Sequence, residues 1–516
     1  MTFVVALCLL FVPSAQADSE LAERNATLAH AALGQAHDLL VVWTGRKDSE
    51  SSLLRSGEGG NRWTVATTAA ELYTSLVVVA WLTDTPLYEG LLRETLRDEI
   101  RLTSRLAALP DDYDLNRRRF RRSTTDSERI VDGAARYAEG LSQTSALTGP
   151  GPWSERMRSI VDAVFLRADV VSGYAEGPLP SDRAAVNGRY LKLLPLLARA
   201  TGDEGYLYYA RRIGDAYCVG IFPGNGGLPT DRWDFVADKP RDREWTLDGG
   251  GAALVEGLID LYETEIRDGS PRAEIYRPAI AGVFDILFRQ GQTTGNRLSR
   301  RIETDGSGGF NIDRRRASSH ESRFLAAAAR FSTLSSNPTY LRLATEAASS
   351  LASEDEISLQ DLDLLSVEIG TEELLARTRA DVERAAQTAP SSRIDERADA
   401  RRLRRLTTLA TDAQAGVRLT PWRTDLRWGA SIQGHTLHVS LASDEPWEGQ
   451  ILFAEPHALS QAGYPRHYPI DADTRYAVRF PSTNTSAVWQ GSYLARGLSV
   501  ELEGQQPLTF SIVRQP

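Results

Sequence analysis

The amino-acid sequence predicts a mainly α-helical protein in which paired helices form two concentric rings, followed by a small all-β domain. Two patterns lead to this fold class. One is a tight turn that recurs between two helix-length segments, as in an αα-hairpin. The other is a change of the hydrophobic period from 3.6 to 2 beyond residue 415. Each turn offers an N-cap oxygen or an N1 proline to the next helix, and the five turns are Thr83–Pro86, Thr148–Pro152, Thr201–Asp203, Asp268–Pro271 and Ser335–Pro338.

The two helices of each hairpin differ in character. Residues 64–83 are small or apolar nearly all round, which indicates a helix buried on most sides. Residues 87–106 alternate leucines with charged residues and predict an amphipathic outer helix. The contrast recurs at 183–200 against 203–219, and at 318–334 against 338–352. A buried inner ring inside an exposed outer ring follows from this repetition.

The connections between hairpins are long, whereas the turns within them are short. The long connections are 45–62, 107–127, 168–182, 220–246 and 290–317. Long loops in a compact domain usually carry function, and here they all fall on one rim of the ring. We expect a first helix at about 20–43, with segments near 358–369 and 371–388, to complete a sixth hairpin.

Four regions are predicted along the chain: a signal peptide (1–17), a helical ring domain (18–390), a charged helical linker (391–415) and a β-sandwich domain (416–516). The apolar run 3–12 and the small residues before Ala17 are typical of a secretory signal, so we expect a secreted or periplasmic protein. The run is shorter than the about 20 residues of a membrane span, and no membrane insertion is expected. We expect the β-sandwich to pack on the ring as a support.

Charge and cysteine content narrow the function classes. The chain carries 59 basic and 69 acidic residues, and the net charge of −10 disfavours general nucleic-acid binding. Its two cysteines, Cys8 and Cys218, cannot form a disulfide framework or a cysteine-rich zinc site. The histidines show no zinc-binding spacing, so neither a metal nor a cofactor is predicted.

The repeated hairpins, the tip Thr201–Leu207 and the stretches 226–231 and 247–252 resemble the six-hairpin glycosidase superfamily, whose fold is an (α/α)6 toroid. Members of that superfamily are mostly glycoside hydrolases, and related toroids include polysaccharide lyases. Some relatives carry Asp-His-Gly-x-Glu at the second stretch, where this chain has Leu247–Ala252, so no catalytic pair is transferred. The resemblance implies a carbohydrate substrate.

Glycoside hydrolysis needs two carboxyl groups about 5 to 10 Å apart. Asp248 opens a predicted inner helix, between Trp245 and three glycines, and is either a general acid or an N-cap. We expect Glu321, Asp231 or Asp305 to be its partner. His320 starts another inner helix and is a candidate for proton transfer or for binding a sugar hydroxyl.

Aromatic residues near the long loops either stack on sugar rings or anchor the loops by burial. The candidates are Trp63, Tyr174, Trp233 and Trp245. A polysaccharide lyase would instead use Tyr190, Asn187, Arg189 and His320 on a uronate. A third hypothesis is a non-catalytic glycan-binding toroid. The leading prediction is a secreted glycoside hydrolase with paired carboxylates.

Overall fold

The computed structural model describes residues 12–515 except 57–59, 168–169, 173–176, 294, 296, 305–308, 353–368, 370–379, 381–383, 385–394, 455–456, 458, 460–466 and 482–484. Two of the predicted site residues, Tyr174 and Asp305, lie outside the described residues. So do nearly all of the segments near 358–369 and 371–388.

Six helices in the described part form the inner ring. They are α2 (Val65–Tyr73 continuing as Thr74–Thr83), α4 (Ser127–Thr148), α6 (Ala184–Thr201), α8 (Leu247–Gly251 continuing as Ala252–Arg267), α10 (Glu321–Ser335) and α12 (Glu396–Gln414). Contacts run from α12 to α2 and onward through α4, α6 and α8 to α10. This order confirms the predicted ring of buried helices.

Six further helices sheathe the inner ring. They are α1 (Val12–Thr44), α3 (Thr85–Leu87, Tyr88–Leu92 and Arg93–Thr103), α5 (Pro152–Arg167), α7 (Glu204–Asp215, Ala216–Ile221 and Phe222–Gly224), α9 (Arg272–Arg289) and α11 (Pro338–Ala352). Each of α3, α5, α7, α9 and α11 follows its inner helix through a short turn. The first helix, α1, packs instead on the last inner helix, α12.

Inner helices approach one another closely where their side chains are small. A Cβ added at Gly188 on α6 would lie 2.3 Å from Leu254 N on α8, and one added at Gly257 on α8 would lie 2.4 Å from Gly188 O. Only glycine permits this crossing. Helix Val65–Thr83 is long and apolar enough, by length and composition, to span a membrane, but 78% of its apolar stretch is buried inside the protein.

Helix α12 occupies a packed position that differs from the charged linker predicted over 391–415. Its buried residues Ala400, Leu403, Leu406 and Ala410 recur every three or four positions and contact α1 and α2. Four arginines between 401 and 405 obscure this apolar stripe in the sequence. The ring domain therefore extends through Gln414.

Short strands stiffen the long loops. They are Arg62–Trp63, Ser104–Leu106, Leu109–Pro110, Tyr113–Asp114, Arg119–Phe120, Val170–Ser172, Gly177–Leu179, Trp233–Asp234, Lys239–Pro240, Glu244–Thr246, Arg301–Thr304 and Phe310–Ile312. All of them pair antiparallel with one another. They hold the loops at the rim where α4, α6, α8 and α10 begin, which we call the long-loop rim.

The C-terminal region contains two antiparallel sheets. Its strands are β1 (Val417–Thr420), β2 (Arg427–Gln433), β3 (Thr436–Ala442), β4 (Trp447–Phe453), β5 (Arg475–Phe480), β6 (Thr485–Gln490), β7 (Leu498–Leu502) and β8 (Leu508–Arg514). A short helix, α13 (Gly491–Leu494), lies between β6 and β7. The strand orders are β1-β4-β7 and β2-β3-β8-β5-β6. Buried Trp428 of β2 donates its indole N–H to Val417 O of β1 and joins the two sheets.

The larger sheet lies directly on α1. A Cβ added at Gly429 on β2 would come within 2.2 Å of Ala26 N on α1. Asn25 donates to Ala430 O at 2.7 Å across the same contact. A second contact joins Arg418 to α2, because its guanidinium stacks 4.2 Å from the Trp81 ring and donates to Trp81 O. The sheets are thus fixed to the ring at two places.

Candidate functional site

Asp248 lies in the first turn of α8 and fastens a neighbouring loop. Its Oδ1 accepts hydrogen bonds from Ser318 Oγ at 2.8 Å and from Ser319 N at 2.7 Å. Its Oδ2 lies 3.2 Å from Arg300 Nε. The N-cap position of this turn belongs to Thr246, so Asp248 is a loop-binding acceptor and not the predicted N-cap.

Asp231 lies in the preceding loop and binds the start of the same helix. Its Oδ1 accepts a hydrogen bond from Thr246 N at 2.8 Å. Burial raises the pKa of the Asp231 carboxyl, the bond from Thr246 opposes this, and the nearby charges of Asp242 and Glu244 raise it further. A carboxyl group in such surroundings tends to keep its proton, which is what a general acid requires.

Glu321 and His320 lie at the start of α10, where both contact the loop that precedes this helix. Glu321 is 2% exposed, accepts a hydrogen bond from Leu298 N at 2.8 Å, and is ion-paired with Arg297. The backbone N–H of His320 donates to Ser318 Oγ, which also binds Asp248. Glu321 thus tethers the loop before α10, and its burial does not suit a residue that meets a polymeric substrate.

The predicted aromatic platforms are buried. Trp63 and Trp245 are 0% exposed and Trp233 is 4% exposed, so their ring faces are not open to a sugar. Trp63 packs near Tyr73, and Trp245 packs edge-on against Phe324. This burial corrects the stacking hypothesis for these tryptophans in favour of loop anchoring. The physical reason is that short strand pairs draw the aromatic residues of the loops into the core.

Two of the residues considered for lyase chemistry are also inside the core. Asn187 is fully buried and donates to Ser181 O at 2.8 Å and to Tyr217 Oη at 3.0 Å. Tyr190 is fully buried, and this burial raises the pKa of its phenol. A buried tyrosine with a raised pKa is a poor base. These buried positions contradict the roles in lyase chemistry that were considered for Asn187 and Tyr190. Arg189 has different surroundings.

Arg189 belongs to a chain of charged side chains along the axis of the ring. Its guanidinium lies 3.5 Å from Asp132 and 3.2 Å from Glu139, both on α4. Lys192, one turn further on α6, lies 2.8 Å from Glu139 and 3.0 Å from Glu256 on α8. Arg323 on α10 donates to Glu256 at 2.7 Å. We call these residues the axial cluster: Asp132, Glu139, Arg189, Lys192, Glu256 and Arg323.

The two glutamates of the axial cluster, Glu139 and Glu256, are ionised at neutral pH. Burial alone would raise the pKa of Glu256, but Arg323 and Lys192 outweigh it and lower this pKa to about 2. Lys192 and Arg189 likewise lower the pKa of Glu139 against the effect of burial. The side chains of Lys192, Glu139 and Glu256 keep 19%, 20% and 12% of their surface exposed. The cluster can therefore bind polar groups, but it does not hold a transferable proton.

The sequence contains two signals for these features. Lys192 is one of only three lysines in the chain, and it lies in a predicted inner helix with leucines on either side of it at 191, 193 and 194. In addition, Leu-Pro-x-Asp recurs at 109–112, 179–182 and 228–231, in three different long loops. Asp112 of the first copy binds Val65 N at 2.9 Å, just as Asp231 binds Thr246 N. In two of the three copies the aspartate therefore ties a loop to the start of an inner helix, whereas Asp182 of the remaining copy pairs with Arg232 and Arg241.

Among the described residues, no group of three or more histidine, cysteine, aspartate or glutamate side chains is arranged to hold a metal ion. His30 and His37 lie on α1, where His30 Nδ1 is 3.0 Å from Leu426 O and His37 packs on Trp422. His30 and His37 thus face the C-terminal sheets, whereas His320 lies at the long-loop rim.

Comparison with known proteins finds no matching family model and no matching curated protein. Similar solved structures include a sugar epimerase from a ruminal bacterium (8% identity, 63% of this chain, 87% of that chain, TM-score 0.43). Another is the GH76A alpha-1,6-mannanase from Salegentibacter sp. HEL1_6 (12% identity, 61% of this chain, 97% of that chain, TM-score 0.44). A third is a D-mannose isomerase (13% identity, 63% of this chain, 85% of that chain, TM-score 0.45). By its own inner and outer rings of helices, this chain has an (α/α)6 toroid fold.

Proposed function

We propose that the protein is an exported carbohydrate-active enzyme that hydrolyses glycosidic bonds, with Asp231 as the general acid and Asp248 as the base. The observation that carries this proposal is the contrast between two carboxyl groups at the start of α8. Asp231 is half-buried, and its pKa is raised by burial and by acidic neighbours. Asp248, two residues beyond the Thr246 that binds Asp231, accepts hydrogen bonds from two serines and pairs with Arg300. Paired carboxyl groups in opposite surroundings are how glycosidases divide the acid and base roles.

The reaction follows from those roles. The Asp231 carboxyl gives its proton to the glycosidic oxygen as the bond from that oxygen to the anomeric carbon breaks. The Asp248 carboxylate takes a proton from water as the water oxygen bonds to the anomeric carbon. The products are two sugar hydroxyl compounds, and solvent returns the proton from Asp248 to Asp231. The assignment reverses our sequence-based preference for Asp248 as the acid.

The axial cluster supports the proposal from inside the ring. Its ionised groups lie on the same four inner helices whose starts form the long-loop rim. Hydrogen bonds to charged groups contribute about 1.5–3 kcal/mol each. Partly exposed carboxylates and ammonium or guanidinium groups can therefore bind sugar hydroxyls that extend from the rim toward the axis.

The test is turnover on a panel of neutral and uronic glycans. New reducing ends without ultraviolet-absorbing products support hydrolysis, whereas absorbing products would indicate a lyase. Interconversion of free sugars without cleavage would indicate an isomerase or epimerase and overturn the proposal.

A matched pair of variants separates catalysis from loop anchoring. Asp231→Asn and Asp112→Asn each keep an oxygen for the backbone N–H that the aspartate binds. We expect Asp231→Asn to lose 10²- to 10⁴-fold in rate, as removal of a general acid typically does. Asp112→Asn makes the same chemical change in an equivalent loop and should retain most of the rate. Similar rates for the two variants would contradict the acid role.

A further inference from the structure

Strand β6 is an unprotected sheet edge. It ends the order β2-β3-β8-β5-β6, and no strand among the described residues lies beyond it. It pairs with β5 over all six positions from Thr485 to Gln490. Every second residue of an edge strand directs its backbone N–H and C=O groups away from the sheet, so β6 presents unused hydrogen-bonding groups.

The composition of β6 sets it apart from the other edges of the two sheets. The edge strands β1, β2 and β7 contain Arg418, Arg427 and Glu501, and charged residues discourage pairing with another chain. Strand β6 reads Thr-Ser-Ala-Val-Trp-Gln and has neither a charged residue nor a proline. A charge-free strand can lie antiparallel to a copy of itself without placing like charges opposite one another.

Apolar side chains accompany this edge. Val488 is 62% exposed on β6, and Tyr493 is 54% exposed on the adjoining helix α13. The Trp489 and Tyr493 rings lie 4.8 Å apart at 66°. Exposed aromatic and branched side chains beside an open edge lose apolar surface when a second strand is added.

We propose that β6 is the self-association surface of this protein and pairs antiparallel with β6 of a second copy about a two-fold axis. In the register centred on Val488, Val488 of one copy faces Val488 of the other, and the five-stranded sheets of both copies become continuous. The two-fold arrangement is closed, so it yields a dimer and not a fibre. This proposal does not depend on the proposed enzymatic function.

The experiment is sedimentation velocity of the full chain over a wide concentration range. The wild type should pass from monomer to dimer as concentration rises. Val488→Lys should weaken the dimer at least tenfold, because it puts a charge into the pairing edge. Val236→Lys is the matched control, since Val236 is 86% exposed on a loop far from the sheets in sequence, and this variant should dimerise like the wild type.

The register is tested by mixing two variants. Val488→Lys and Val488→Glu should each be monomeric at concentrations where the wild type is dimeric, and an equimolar mixture should recover a heterodimer through the facing lysine and glutamate. A wild type that stays monomeric at every concentration would overturn the proposal. So would a dimer that Val488→Lys leaves intact, or a mixture that does not reassociate.

Discussion

Lys192 Nζ lies 3.0 Å from Glu256 Oε2, across the gap between inner helices α6 and α8. The same ammonium contacts Glu139 on α4, so a single lysine neutralises carboxylates on both neighbouring helices. Lys192 shares the neutralisation of these two carboxylates with Arg189, which pairs with Glu139, and Arg323, which pairs with Glu256.

Removing this lysine should destabilise the protein. Lys192→Met leaves Glu139 and Glu256 facing each other without the ammonium, and loss of one partner from a buried ion pair costs about 3–5 kcal/mol. We expect the lower end, because these groups remain partly exposed. Urea unfolding at pH 7 measures the effect, and exposed Lys239→Met, the control, should change stability by less than about 0.5 kcal/mol. Equal stabilities of the two variants would contradict this role.

Acid should erase the contribution of Glu256. Its folded-state pKa of about 2 is below the ordinary value of 4.5, so its ionisation stabilises the fold above pH 4.5, and that stability is lost as the pH falls from 4.5 toward 2. The difference in unfolding free energy between wild type and Glu256→Gln should therefore be large at pH 7 and shrink through this window. A difference that stays constant with pH would show that the charge of Glu256 is not the cause.

The stability of Asp231→Asn relative to the wild type should rise with pH, which is the opposite of the trend expected for Glu256→Gln. The folded-state pKa of Asp231 is raised, so the native protein favours the protonated carboxyl and loses that preference as the pH rises through the folded-state pKa. The neutral amide avoids this loss, and the variant should be at least as stable as the wild type at pH 7. In catalysis, the alkaline limb of the wild-type pH–rate profile should reflect Asp231. A variant less stable at pH 7 than at pH 4, relative to wild type, would contradict the burial effect.

Two substitutions of Asp248 should separate its catalytic and tethering roles. Asp248→Asn keeps the Oδ1 acceptor for Ser318 and Ser319 and loses only the partly exposed Arg300 pair, so stability should change by less than about 1 kcal/mol. Asp248→Ala removes both contacts and should make the loop before α10 more sensitive to limited proteolysis. If Asp248→Asn retains more than about a tenth of the wild-type rate, Asp248 is not the base.

The contact between the sheets and α1 can be tested with glycines. Gly429→Ala puts a Cβ within 2.2 Å of Ala26 N and should lower stability, because a backbone must move to make room. Gly34→Ala, on the same helix, meets nothing within 4 Å and should raise stability by about 0.5–1 kcal/mol. Thermal unfolding of both variants compares the two signs. A Gly429→Ala variant as stable as wild type would show that α1 and β2 are not closely packed.

The ring could be predicted from sequence because its signals are local. Each turn carries its own capping residues, and the inner helices are visibly more apolar than the outer ones. The role of α12 could not be predicted in the same way, because its arginines suggest a solvated linker and its partners, α1 and α2, are far away in sequence. Local sequence patterns predict individual helices and strands, but they do not predict which of these elements pack against each other.

The candidate site was less predictable for a related reason. Functional residues were sought in the long loops, whereas Glu139, Lys192 and Glu256 lie inside helices and meet only when four helices assemble. The loop tryptophans at 63 and 245 were expected at the surface, but strand pairing carries them into the core. The chemistry of a side chain can be assessed from its type, but its exposure depends on the assembled fold.

The pairing of the first helix with the last inner helix has a consequence for biosynthesis. Trp43 of α1 donates its indole N–H to Asp399 of α12 at 3.1 Å, although 356 residues separate them. During translation α1 is therefore synthesised long before its partner. Its apolar face stays uncovered until α12 is made, while the intervening hairpins form. Contacts so distant in sequence slow folding and leave apolar surface open to chaperones or aggregation. Closure of the circle is expected to be a late, rate-determining event, and a chain stopped before residue 396 would remain an open arc.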